Sequence, residues 1–191
     1  MIRSKEELHA FIEHDAKATG RDKLTASFFG DELWKYQLSM RKLDYYHHAK
    51  KRNPFVSLLY AYYRCRFHRL SVMLGLSIPY DVCGKGLAIP HYGCIVINQT
   101  ARIGENCRIL DGVNIGATNG MNQAPKIGNN VFIGSGAKII GDITVADDVA
   151  IGANAVVTRS ITEEGTTWAG IPAKKISDNS SRSNLNQNLF L

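Results

Sequence analysis

Pro90-His91-Tyr92-Gly93 stands just ahead of the most regular part of this sequence, and His91 is the side chain best suited to moving a proton. A neutral imidazole, with an ordinary pKa of about 6.5, accepts a proton from a hydroxyl at physiological pH. His91 lies six residues before Ile97, so it occupies a position that later repeats give to Ile or Val. The residues alone leave two roles open for it: a general base, or a histidine that caps the first coil by hydrogen bonding. His9, His14 and His68 read as solvated or locally bonded histidines. Cys65, Cys83, Cys94 and Cys107 have no CxxC spacing and no clustered His/Cys arrangement, so neither a zinc site nor a redox dithiol is expected. Their apolar or glycine-rich surroundings predict buried free thiols. No metal is expected, and no glycine-rich triphosphate loop is present.

The element that must position His91 is a repeat. Ile97, Ile103, Ile109 and Ile115, then Ile127, Ile133, Ile139, Val145, Ile151 and Val157, recur every six positions. Neither a helix nor a half-buried strand has that period. It belongs to a hexapeptide β-helix, in which three short strands make a triangular coil of about 18 residues and coils stack about 4.8 Å apart. One aliphatic per hexad fills the prism, while glycines such as Gly104, Gly116, Gly128, Gly134 and Gly152 relieve crowding or take angles that a side chain opposes. Ile78, Cys83, Leu87 and Ile89 take the apolar places in a less regular first part. Between Ile115 and Ile127 the skipped site holds only Met121, and Gly, Asn and Pro dominate, which predicts a loop over 117–126 thrown outward from a corner. A polar loop on a rigid solenoid is a natural place for binding chemistry.

Residues 1–75 read as an N-terminal helical lobe. Ser4 and Glu7 form a capping pattern, Gly20 ends the first helix, Asp31 is placed to cap a second, and Pro54 and Gly75 bracket a third. The tyrosines at 45, 46, 60, 62 and 63 read as core with wet hydroxyls. Residues 76–176 form the β-helix, and 177–191 are a polar tail that need not fold alone. The fold class is therefore mainly β, a parallel β-helix of hexapeptide repeats with a helical lobe. A net charge of +6 favours anionic partners without singling out nucleic acid, and none is expected. The charged N-terminus does not read as a signal peptide, and no apolar run is long enough to span a bilayer, so a cytoplasmic location is expected.

With these motifs in view, the sequence resembles the left-handed β-helix acyltransferases of the hexapeptide-repeat family, within them the serine O-acetyltransferases and their relatives of polysaccharide biosynthesis. The likeness is carried by the hexads, by Pro90-His91-Tyr92-Gly93, Asn114-Ile115-Gly116-Ala117-Thr118 and Pro125-Lys126-Ile127-Gly128, by Ile133-Gly134-Ser135-Gly136-Ala137-Lys138-Ile139, and by Ala169-Gly170-Ile171-Pro172-Ala173. It implies a left-handed coil, a homotrimer with each active site between two prisms, and a pair of trimers if the helical lobes associate. It implies that His91 is the catalytic base. It also implies acetyl-CoA as donor, its pantetheine arm bonding to backbone near Ala117, Ser135 and Ala153 and its phosphates meeting Lys174 and Lys175.

Two departures bear on the acceptor. Serine acetyltransferases carry an Arg-His pair where this chain has Gln123 and Ala124, and the carboxylate before the histidine is replaced by Pro90. Asp81 and Asp111 are the candidates to orient the imidazole instead. Asn119, Asn122 and Gln123 can bond neutral hydroxyls without a charge-desolvation penalty. The expectation is an O-acetyltransferase acting on a sugar or polysaccharide precursor, with serine O-acetyltransferase and a non-catalytic trimeric scaffold as alternatives.

Overall fold

The computed structural model describes residues 1–49, 53–118 and 123–190. Helix α1 spans Lys5–Ala18; Ser4 Oγ accepts from Glu7 N–H at 3.0 Å, and the Glu7 carboxylate returns to Arg3 N–H at 2.7 Å. Helix α2 spans Glu32–Ala49. Asp31 does not cap it as expected: with φ at 68° its carboxylate turns back, forking onto Arg21 and accepting from Ser27 N–H. The paired charge of Arg21 outcompetes a lone cap bond. Helix α3, Pro54–Leu74, starts with Asn53 as N-cap and Pro54 in its first turn, and it ends at Gly75, whose φ of 69° suits a residue without a Cβ.

The chain then winds into a prism with three faces of parallel strands. The first face stacks Leu76–Ser77, Ile95–Ile97, Asn114–Gly116, Lys138–Ile140 and Val156–Val157. The second stacks Arg102–Ile103, Lys126–Ile127 and Thr144–Val145. The third stacks Arg108–Ile109, Phe132–Ile133, Ala150–Ile151 and Thr167–Ala169, and is closed by the antiparallel Lys174–Ser177. Ile97, Ile115, Ile139 and Val157 form one inward column; Ile103, Ile127 and Val145 a second; Ile109, Ile133 and Ile151 a third. All are buried. Each contributes about 1.5–3 kcal/mol by leaving water, but only because a like residue sits above and below it. The glycines that follow these aliphatics are there for crowding: a Cβ on Gly134 would lie 2.7 Å from Ala153 N.

The lobe is clamped to the first coil by a buried polar network. Arg41 of α2 forks onto Asp15 of α1 and donates to the carbonyls of Cys83 and Gly84, while Asp15 accepts from Gly86 and Leu87 N–H. Gln37 adds a bond to Leu87 O.

The polar tail, expected to have no fold of its own, lies against the prism. Ser181 is buried and its hydroxyl donates to Asn130 O, Arg182 forks onto Asp148, and Asn184 O accepts from Arg108. Its last described turn, Gln187–Leu189, reaches α1. A polar segment with no core of its own is ordered here because prism edges supply its partners.

Candidate functional site

The chain visits the faces in the order first, second, third, so each coil turns three edges. The edge between the third and first faces carries His91, Ser135 and Ala153. Its successive turns are Pro90–Cys94, Leu110–Gly112, Gly134–Gly136 and Gly152–Asn154, stitched by Gly136 N–H to Asp111 O and Asn154 N–H to Ser135 O, both at 2.8 Å.

The first of these turns is longer than the rest. Cys83 pairs with Ile103 and Ala88 with Arg108, steps of 20 residues, whereas Ile97 pairs with Ile115, a step of 18. Two extra residues are therefore housed between Ile89 and Ile97. The inward site taken at first sight by His91 belongs to Ile89, which is 2% exposed, and His91 stands in the enlarged turn, exposed. Burying Ile89 releases apolar surface from water, whereas an imidazole there would need a partner inside an aliphatic prism. Among the described residues none bonds the His91 ring, so the capping role has no counterpart there. A solvent-facing imidazole with no bond among the described residues is open to an incoming hydroxyl.

Below His91 on the same edge lie Asp111, Ser135 and Ala153. A Cβ on Gly93 would approach Asp111 Cβ to 3.1 Å, so the His91 turn rests on Asp111, and Ser135 Oγ donates to Asp111 Oδ1 at 2.8 Å. Asp81, by contrast, precedes the second-face site at Cys83 and belongs to another edge. Ser135 and Ala153 are two and three coils below the histidine turn, roughly 10 and 14 Å at the strand spacing. Ala153 is exposed and Ser135 half-buried, so both reach the surface of this edge.

Ala117 does not share this edge. It follows Asn114–Gly116 on the edge between the first and second faces, beside Gly141, whose N–H bonds Gly116 O. The 117–126 segment leaves from that edge too: Arg102 pairs with Lys126, 24 residues on, against 18 from Lys126 to Thr144. Of its predicted acceptor contacts, Gln123 is exposed, while Asn119 and Asn122 lie outside the described residues. Ala124 is buried at 3% exposure.

At the far end, Lys174 and Lys175 extend from the closing strand. Lys175 is engaged, with Nζ 2.5 Å from Glu163 and 2.6 Å from Asp178, which raise its pKa; Lys174 is exposed and makes no ion pair among the described residues. Arg159 and Lys174 share a hollow of about 430 Å³ at the open end of the prism.

The thiols divide. Cys83 and Cys107 are buried, and burial pushes the Cys83 thiol up to about 12; Cys65 and Cys94 are exposed, contrary to expectation. Cys94 lies in the same enlarged turn as His91, and the spacing of eight from Ile89 to Ile97 is the signal that this turn leaves the core. Among the described residues no three His, Cys, Asp or Glu side chains gather as a metal site requires.

Stacked parallel coils of hexads with a helical lobe define a left-handed β-helix transferase of the hexapeptide class. The family "Bacterial transferase hexapeptide (six repeats)" matches residues 124–159. The serine acetyltransferase of Staphylococcus xylosus is 32% identical over 89% of this chain and 74% of its own length, and the chain belongs to the serine acetyltransferase family. The solved Neisseria gonorrhoeae serine acetyltransferase in complex with serine superposes with a TM-score of 0.68 and 28% identity over 91% of this chain and 71% of that one. The Brucella abortus serine acetyltransferase in complex with coenzyme A does so with a TM-score of 0.66 and 28% identity, over 91% of this chain and 67% of that one. The chain spans about half the length of the first curated relatives it matches, 55% and 46% in two of them.

Proposed function

We propose that this chain transfers the acetyl group of acetyl-CoA to an acceptor hydroxyl, with L-serine as the acceptor its relatives favour. One observation carries the reading: His91 heads the same prism edge that, two and three coils lower, presents Ser135 and Ala153 at the surface. An extended pantetheine arm laid along that edge, bonding to its amides, brings the thioester carbonyl up to the histidine turn. His91 takes the hydroxyl proton as the oxygen attacks that carbonyl, backbone N–H groups of the edge stabilise the oxyanion, and the coenzyme thiolate leaves with a proton returned by the imidazolium. Lys174 at the open end is placed to meet the nucleotide phosphates as a point charge, and Lys175 to do so once released from Glu163 and Asp178.

Ala117 and the loop with Gln123 stand on the other edge of the first face. A neighbouring prism set against the His91 edge supplies both, which makes a homotrimer the natural assembly. A sugar hydroxyl is the second reading, and the observation that favours it is the loop itself: Gln123 is exposed and neutral and Ala124 is buried, so neither offers charge to an amino acid's ionised ends.

The test offers purified protein and acetyl-CoA to L-serine and, separately, to saccharides and nucleotide sugars, following thiol release and product mass. Serine turnover with kcat/KM of about 10⁴ M⁻¹s⁻¹ or more supports the first reading. Acetylated saccharide with inert serine replaces it with the second, and no thiol release with any acceptor overturns acetyl transfer.

A further inference from the structure

We propose that α3 and the loop before α2 form a surface that seats the protein on an anionic lipid bilayer. Along α3, Phe55, Leu58, Tyr62 and Val72 follow one stripe, and they are 65, 66, 53 and 70% exposed. Met73 widens the stripe at 60% exposure. Cys65 and Arg69, at the two remaining positions of the stripe, are exposed as well. Beside it Phe28 and Phe29 project from the loop, 87 and 86% exposed, their rings edge to face at 4.8 Å. Phe28 joins Tyr62, Leu70, Val72 and Met73 around an open groove of about 980 Å³. Apolar side chains so fully in water, and contiguous, mark an interaction surface.

Charge selects the occupant. Within Pro54–Leu74 there is no Asp or Glu, while Arg64, Arg66, His68 and Arg69 are present. Arg69 lies on the stripe, is exposed and forms no ion pair among the described residues, and Arg66 and His68 line the groove beside it. A second copy laid along this helix would set Arg69 against Arg69 with no carboxylate on either α3, and Glu32, the acid that lines the groove, is already paired with Lys35 at 3.4 Å. An anionic lipid surface instead pairs with the arginines while its acyl boundary receives the phenylalanines, as a basic amphipathic helix lying in the interface does. Among the described residues no helix is long and apolar enough to cross a membrane, so the helix lies on the bilayer. This inference is independent of the proposed acetyl transfer.

The test is co-sedimentation of the full chain with vesicles of phosphatidylcholine alone or mixed with phosphatidylglycerol. Binding to the mixed vesicles only, weakened by salt, is expected. The double variant Phe28→Ser/Phe29→Ser should bind at least about 10-fold more weakly, and Arg69→Gln should weaken the preference for phosphatidylglycerol, both keeping the wild-type circular dichroism. Binding unchanged in both variants overturns the proposal. Absence of wild-type binding to the mixed vesicles also overturns it, and a smaller sedimenting mass of the phenylalanine variant would then assign the face to a second copy.

Discussion

Arg41 Nε lies 2.7 Å from Asp15 Oδ2 with both side chains 1% exposed, and each partner also holds the backbone of the first coil. The pair is thus a joint between two helices and the strand that leads into the His91 turn. Replacing Arg41 with Met leaves a buried carboxylate without its counter-ion and should cost about 3–5 kcal/mol. Adding Asp15→Leu should not restore the loss, because Gly86 and Leu87 N–H and the Cys83 and Gly84 carbonyls then lack partners. Urea unfolding of the two variants checks this; a double variant as stable as wild type would show the joint to be dispensable.

His91→Ala should leave the melting temperature nearly unchanged, since the ring is exposed and makes no bond among the described residues, and should lower kcat by about 100-fold or more. Steady-state kinetics on whichever acceptor the turnover assay selects, beside thermal melts, measures both. Unchanged turnover would move the proton transfer to another group.

Gly134→Ala drives a methyl to 2.7 Å from Ala153 N, a backbone atom that cannot swing aside. The coil must shift, and a loss of about 1–3 kcal/mol is expected, as for overpacking elsewhere. Because the same amide borders the proposed donor channel, KM for acetyl-CoA should rise with it. Melting and donor titration together test the pair of effects, and a fully stable variant with unaltered KM speaks against both.

A thiol reagent should find two reactive cysteines in the native chain, Cys65 and Cys94, and four after denaturation. Burial and the raised pKa keep Cys83 protonated and shielded, and Cys107 likewise. Since Cys94 shares the His91 turn, acetyl-CoA should slow its labelling and its modification should depress turnover. Peptide mapping of the labelled protein decides which thiols reacted.

Burial and the nearby Lys85 charge lower the His14 pKa below its usual value. The unfolded chain then takes up a proton on this side chain before the folded one does, so His14 subtracts stability as pH falls below about 6.5 and is neutral in effect above it. His14→Gln should melt like wild type at about pH 7.5 and hold up better than wild type as the pH drops through 6.5. Melts across that range give the comparison; parallel curves would remove His14 from the acid sensitivity.

What the sequence determined by itself was whatever repeats or caps locally. A period of six admits one architecture, so the inward columns and the three faces could be read from Ile97 to Val157 directly. Helix limits at Ser4, Pro54 and Gly75 were legible because capping is settled by a few adjacent residues. Asp31 escaped that reading because its partner Arg21 lies ten residues away.

Tertiary structure decided the rest. Counting back six from Ile97 reaches His91 and counting back eight reaches Ile89, and only the pairing of Ala88 with Arg108 shows that the aliphatic went inside. A corner absorbs two residues at little cost, whereas a prism cannot absorb an unpaired imidazole. In the same way, apolar residues around most of α3 could not tell which side met α2 and which met solvent, nor could a polar tail reveal that Asn130, Asp148 and Arg108 would hold it. Burial is a property of neighbours brought together by the fold. It separated Cys83 and Cys107 from Cys65 and Cys94, and it placed Ser135 and Ala153 beneath His91 while leaving Ala117 on another edge.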